Sequence, residues 1–210
     1  MGRRIALMCG IAASVLYIAM NVFIPMQWDG YSFASQAVSE LSAIGAPTRP
    51  LWVKWGLVYN ALILVFGWGV WASAPGNERL RIAGGLMLVS GINGLLWPPM
   101  HLRGTEFTLT DTLHIAFTVT ALVLMFLEIG FGAAALDRRF RFYSIATLIV
   151  FVVCGALPFV YASDIAANLP TPWLGVLERI NIAVFMLWLI VFAVVLLRAP
   201  ARLARQGRAQ

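Results

Sequence analysis

Six apolar runs divide this chain, and little is left between them from which a separate domain could be built. They cover residues 5–26, 51–72, 82–98, 109–136, 142–161 and 173–197. A spanning helix needs about 20 mostly apolar residues, with a range of about 17–25. The third run is at the short end of that range. The fourth carries polar residues that blur its ends. The chain is 61% hydrophobic and 11% charged, with a mean hydropathy of +0.85. An average soluble domain carries about 25% charged residues. A soluble core built from 210 residues cannot hide this much apolar surface. In lipid the outward face stays apolar while each helix satisfies its own backbone. The expected fold is an all-α integral membrane protein, a single domain over residues 1–210 with six transmembrane helices.

The formal charge of +6 does not point to nucleic acid, because the basic residues lie scattered between the apolar runs. They read instead as a topology signal. With the N-terminus cytoplasmic, the cytoplasmic side holds Arg3, Arg4, Arg79, Arg81, Arg138, Arg139, Arg141, Arg198, Arg202, Arg205 and Arg208. The opposite side holds only Arg49, Lys54, Arg103 and Arg179. Short loops follow the positive-inside rule, so both termini are expected in the cytoplasm, and an even number of spans follows. Trp28, Trp52, Trp55, Trp97 and Trp173 fall near the expected outer interface, and Trp68 and Trp71 near the inner one, where indole rings concentrate.

Arg3 and Arg4 before an apolar run imitate a signal peptide. The run continues to Pro25, beyond the ~7–15 residues of a signal core, so it reads as an uncleaved first span. Met1-Gly2 lacks the serine or threonine that myristoylation wants. The cysteines, Cys9 and Cys154, both fall inside spans and read as small packing residues rather than as a disulfide or metal pair.

The longest loop runs from Gln27 to Pro50. Within it Ala34, Val38, Leu41 and Gly45 share helical spacing, with Gly45 and Pro47 as a stop signal. A short amphipathic helix over 35–45 is therefore expected on the outer surface, with Gln36, Ser39 and Glu40 on its polar edge. Glu78-Arg-Leu-Arg-Ile-Ala83 echoes Glu178-Arg-Ile-Asn-Ile-Ala183, which would suit an inverted repeat of three spans. The echo is six residues long and opens spans from opposite sides, so it reads as coincidence.

Polar residues inside spans are costly and mark protein- or water-facing surfaces. In the fourth span Asp111, His114, Thr118, Ala121, Met125 and Glu128 recur at intervals of three and four, so one face carries two acids and an imidazole. His101, Arg103, Asn21, Asn60, Asn93, Glu178, Arg179 and Asn181 fall toward the same outer end. Together with Ser39 and Glu40 they predict a polar cavity on the extracytoplasmic side, roofed by the short helix. Three readings compete for it. A lipid-like or small amphipathic ligand would set its head against Arg103, Arg179 and the histidines, and this reading leads. A zinc hydrolase would use His101, Asp111 and His114, with Glu40 or Glu178 in support. A structural cluster would simply fix helix packing. Haem held between the third and fourth spans is a lesser fourth possibility. Glu128, deeper in its helix, is a candidate proton relay.

Five strings carry a family resemblance. They are Val38-Ser-Glu-Leu-Ser-Ala-Ile-Gly-Ala-Pro-Thr-Arg-Pro-Leu-Trp52, Leu96-Trp-Pro-Pro-Met-His101, Thr110-Asp-Thr-Leu-His-Ile115, Asn168-Leu-Pro-Thr-Pro-Trp173 and Gly175-Val-Leu-Glu-Arg-Ile-Asn181. The chain resembles, over nearly its whole length, a bacterial multi-span family known as domain of unknown function 998. The resemblance implies a small protein of the bacterial cytoplasmic membrane, surrounded by lipid. It singles out Ser39, Glu40, His101, Asp111, His114, Glu178 and Arg179, which fall in its motifs, and gives none of them a role.

Overall fold

The computed structural model describes residues 2–206, with side chains through Arg198. The helices are α1 (Gly2–Phe23), α2 (Arg49–Trp71), α3 (Glu78–Leu95), α4 (Leu109–Ala135), α5 (Arg138–Ala156), the short α6 (Ala162–Ala166) and α7 (Leu174–Gln206). Among the described residues there is no strand, only a single bridge between Ile44 and His101. The side chains of Arg202 and Arg205 lie outside the described part, as do Met1 and Arg208, so the basic tail carries no structural account.

Capping explains where the helices depart from the apolar runs. α3 begins at Glu78 rather than 82 because the Asn77 side chain accepts from Leu80 N at 3.1 Å. It stops at Leu95, ahead of the Pro98-Pro99 pair that cannot continue a helix. α5 begins at Arg138 rather than 142, because Asp137 accepts from Phe140 N at 3.0 Å. Pro158 then tightens its end into a 3-10 turn, Leu157–Tyr161.

The loop helix expected over 35–45 is shorter and tighter, a 3-10 turn at Val38–Ser42. Two acids take the donors that would otherwise propagate an α-helix. Glu40 accepts from Ala37 N at 3.0 Å, and Glu178 accepts from Val38 N at 2.6 Å. Ala43 then turns extended, and Gly45 takes the left-handed conformation (φ 93°) that ends the segment.

The long helices form a closed ring in chain order. Each packs on its predecessor, and α7 returns to α1. The α2–α3 contact is the closest, because Gly67 and Gly84 face each other. A Cβ on Gly84 would sit 2.6 Å from Trp71 N. Every long helix presents large apolar side chains outward, for example Val15, Leu57, Val89, Val123, Ile149 and Leu187. Among the described residues, five segments are long and apolar enough to cross a membrane: Gly2–Gln27, Arg49–Trp71, Leu109–Ala135, Arg138–Ala166 and Leu174–Arg198. α3 is the long helix outside that set. Its first turn carries Glu78, Arg79 and Arg81, and four glycines lower its hydropathy.

The interior of the ring has two halves. Toward the α2–α3 turn it is an apolar plug of Leu7, Phe66, Met87, Ile129, Trp188 and Phe192. Trp188 and Phe192 stack with ring centres 4.8 Å apart. Toward the other end, a smaller cluster of Met20, Ile24, Val38, Leu41 and Trp52 seats the first loop on α1 and α2.

Candidate functional site

The first loop, the α3–α4 hairpin and the start of α7 meet at one end of the ring. Most of the residues expected at the site converge there. Glu40, 2% exposed, pairs with Arg103, whose Nη2 lies 3.1 Å from Oε1. That contact is too bent to count as a hydrogen bond. Arg103 Nη1 donates to Thr171 Oγ1 at 2.8 Å, and Thr171 donates onward to Ser35 O at 2.8 Å. Gln36 Nε2 donates to Glu40 Oε2 at 3.0 Å. Backbone joins the same pieces, since Ile44 N donates to Met100 O at 2.7 Å. The result is a strap, residues 31–46, bonded down on both sides. Ser39 is half-buried, and its side chain makes no hydrogen bond among the described residues.

Asp111 organises the hairpin. Its Oδ1 accepts from His101 N at 2.6 Å, and its Oδ2 accepts from Thr108 N and Thr108 Oγ1 at 2.9 and 2.8 Å. His101 Nδ1 lies 3.0 Å from the same Oδ2. Asp111 is thus the third-residue acid of a capping box that starts α4. His114 faces another way, with its Nδ1 2.8 Å from Pro98 O and 3.1 Å from Trp97 Nε1. That nitrogen either donates to the carbonyl or accepts from the indole, so one tautomer makes one of the two bonds. Trp97 crosses His114 edge-on at 5.4 Å and Trp52 packs on Tyr17, so these two indoles serve packing rather than an outward aromatic belt.

At the start of α7 the two charges part. Arg179 Nη1 donates to Phe33 O at 2.9 Å and Gly175 O at 3.1 Å, and Nη2 donates to Tyr31 Oη at 2.9 Å. Its guanidinium lies over both aromatic rings, 5.6 Å from Tyr31 and 5.0 Å from Phe33. Tyr31 donates in turn to Ala37 O at 2.9 Å, and burial pushes its phenol above the usual range. Gly175 N donates to Ala34 O at 2.9 Å. Glu178 turns inward, on the same face as Asn181, Phe185 and Trp188. One of its oxygens is taken by Val38 N, and the other makes no hydrogen bond among the described residues.

Below the strap the polar line continues. Tyr17 and Tyr59 pack together with ring centres 4.5 Å apart, and both remain partly accessible although they pack on the core. Their hydroxyls make no hydrogen bond among the described residues. Tyr17 is within electrostatic reach of Glu178, and Tyr59 of Glu128. Glu128, 1% exposed, accepts from Ser90 Oγ at 2.5 Å. Asn181 Nδ2 donates to Phe151 O at 3.3 Å, and Asn93 makes a long contact of 3.5 Å to Phe117 O. Tyr17, Tyr59, Tyr31 and Thr171 were not among the candidates read from the sequence. The signal for Tyr17 was present, because it continues the buried stripe of Gly10, Ser14 and Asn21 on α1. Tyr31 and Thr171 sit in loops, where no periodicity reveals partners.

The zinc reading needs His101, Asp111 and His114 to converge. Among the described residues no group of three His, Cys, Asp or Glu is placed to hold a metal. The physical reason is that Asp111 is committed to capping α4, while His114 is turned toward Pro98. Two concavities open on the surface away from the strap. One lies at the α2–α3 turn against Trp71, Asn77 and Arg81. The other is an almost wholly apolar groove between α4 and α5, lined by Val119, Leu122, Val123, Phe126, Phe151, Val152, Gly155 and Phe159. At Gly155 the Asn181 amide comes so close that a Cβ there would lie 2.5 Å from Nδ2.

A ring of long helices, apolar outside and bearing buried acids inside, defines a multi-helix membrane protein. No curated protein and no solved structure matches the chain. The model of the family described as Protein of unknown function (DUF998) matches residues 11–195, and the chain belongs to that family.

Proposed function

We propose that this is a six-span protein of the bacterial cytoplasmic membrane, with both termini in the cytoplasm, that binds a lipid-like or small amphipathic ligand. The ligand's tail lies in the groove between α4 and α5, and its head lies inside the ring beneath the strap. The observation that carries this reading is the close approach at Gly155. There the floor of an apolar, bilayer-facing groove meets Asn181, one turn from Glu178 on the inner face of α7. Pockets of this kind are largely apolar, with a few convergent polar groups that fix orientation. The polar candidates nearer the surface, Glu40, Arg103, His101 and Asp111, hold the strap and hairpin in place above the head.

Gly155→Leu tests this directly. The added side chain fills the groove and meets Asn181, so lipid retained by the purified protein, read by native mass spectrometry, should fall sharply. Unchanged lipid occupancy in a well-folded Gly155→Leu protein refutes the reading. The topology is tested separately. In a variant with Cys9 and Cys154 replaced by alanine, a cysteine at position 29 should react with an impermeant maleimide added outside the cell. A cysteine at position 139 should not. The reverse pattern overturns the orientation.

A further inference from the structure

We infer that the head group this interior accepts is an organic cation, an amine or quaternary ammonium. The inference rests on the ligand reading above and concerns the same polar half of the ring. It comes from asking which charged groups are already bonded and which are not.

Both arginines are anchored at the strap, each with one buried guanidinium nitrogen, Arg103 Nη2 and Arg179 Nε, that makes no hydrogen bond among the described residues. Arg103 is held by Glu40 and Thr171, and Arg179 by Phe33 O, Gly175 O and Tyr31. Glu40 is committed as well, to Ala37 N, Gln36 and Arg103. What remains faces inward and is acidic or aromatic. Glu178 has one oxygen bonded to Val38 N and one without a bond among the described residues. Glu128 has one oxygen on Ser90 and one in the same condition. Between them stand Tyr17 and Tyr59, whose faces are 4.5 Å apart at their centres, with Trp52 5.9 Å from Tyr17. Tyr17 packs on the cluster that holds Val38, the residue bonded to Glu178, and Tyr59 lies within electrostatic reach of Glu128, so the four belong to the same polar half of the ring.

An anionic head entering this half would meet carboxylates, while both guanidinium groups are anchored above it at the strap. A cationic head meets a carboxylate oxygen and aromatic faces, the combination that recognises amines and quaternary ammonium groups. A hard metal cation fits poorly. Calcium takes six to eight oxygen ligands, and the described residues gather no metal-holding group here. The tail in the α4–α5 groove makes the ligand an amphiphile.

The test uses the full chain in micelles of a nonionic maltoside detergent, which carries no ammonium group to compete. Octyltrimethylammonium and octyl phosphate share a tail and differ in head charge, and each is titrated while Trp52 and Trp97 report by fluorescence. The cation should bind, and octyl phosphate should bind at least about tenfold more weakly, a difference within the range of one desolvated charge contact. Glu178→Gln and Tyr59→Leu should each weaken the cation by about tenfold without weakening the anion. A thermal melt of each variant separates loss of binding from loss of fold, and Glu128→Gln provides a second probe if Glu178→Gln does not fold. Octyl phosphate binding as well as the cation, or better, with sensitivity to Gly155→Leu, overturns the charge assignment and leaves the ligand reading standing. Binding of neither amphiphile overturns both.

Discussion

The Glu40–Arg103 pair allows a quantitative test of how the strap is held. Arg103→Met removes the guanidinium and keeps most of the apolar stem. Glu40, 2% exposed, then loses its countercharge. Breaking a buried pair by removing one partner typically costs about 3–5 kcal/mol, because the other charge stays behind. Here Glu40 still accepts from Ala37 N at 3.0 Å and from Gln36 Nε2 at 3.0 Å, so its charge is not abandoned. The loss of the Arg103–Thr171 bond adds a smaller term. The expected cost is about 3 kcal/mol, the lower end of that range. Arg103→Met combined with Glu40→Gln removes both charges and should cost only about 1 kcal/mol, the scale of the hydrogen bonds lost. Unfolding in mixed micelles by titration with dodecyl sulfate, followed by tryptophan fluorescence, gives all four corners of the cycle. A coupling energy of about 1.5 kcal/mol or more supports the geometry, whereas coupling within about 0.5 kcal/mol of zero is what independent sites give. That second outcome would mean that the pair does not hold the strap.

Three further outcomes follow from other contacts. Gly175→Ala places a Cβ 2.4 Å from Gln36 O and 2.5 Å from Phe33 O, both backbone atoms that cannot swing away. It should destabilise by about 1–3 kcal/mol and raise amide exchange across residues 31–40, and a neutral result would contradict the seating of the strap on α7. Asp111→Ala strips the acceptor from His101 N, Thr108 N and the Thr108 hydroxyl, and should cost about 2–4 kcal/mol in the same micelle titration. Asp111→Asn, which keeps one carbonyl oxygen, should cost visibly less. Tyr31, whose phenol is raised by burial, stabilises the fold fully below the usual phenol range. That contribution is lost as pH rises through the higher folded value. Tyr31→Phe should flatten this part of the alkaline limb of a stability profile, and an unchanged limb would count against the buried phenol.

The long helices were readable because lipid imposes a length and a composition that few other environments do. The inward stripe of α4, with Asp111, His114 and Glu128, was readable by period alone, and all three are buried. The bonding within the site was less visible. Nothing in the spacing tells that Asp111 is a capping acid, because the capping pattern from Thr108 to Asp111 precedes a face that equally suits metal ligands. The strap's partner is hidden for a different reason. Val38 and Glu178 are 140 residues apart, and local pattern carries no information about such a pair. The 3-10 turn at Val38–Ser42 follows from that distant contact, so helical spacing alone overstated its length.

Because the ring closes in chain order, most helices find their neighbours as soon as they are made. The strap does not. Thr171, Gly175, Glu178 and Arg179 are all at the start of the last helix, so residues 31–40 must wait through the insertion of α2 to α5 before any of those anchors exists. Until then Val38 N lacks its acceptor and the polar half of the ring is uncovered. Fastening of the strap therefore waits for the start of α7. A chain stalled before α7 would display an unfastened loop and an open polar interior.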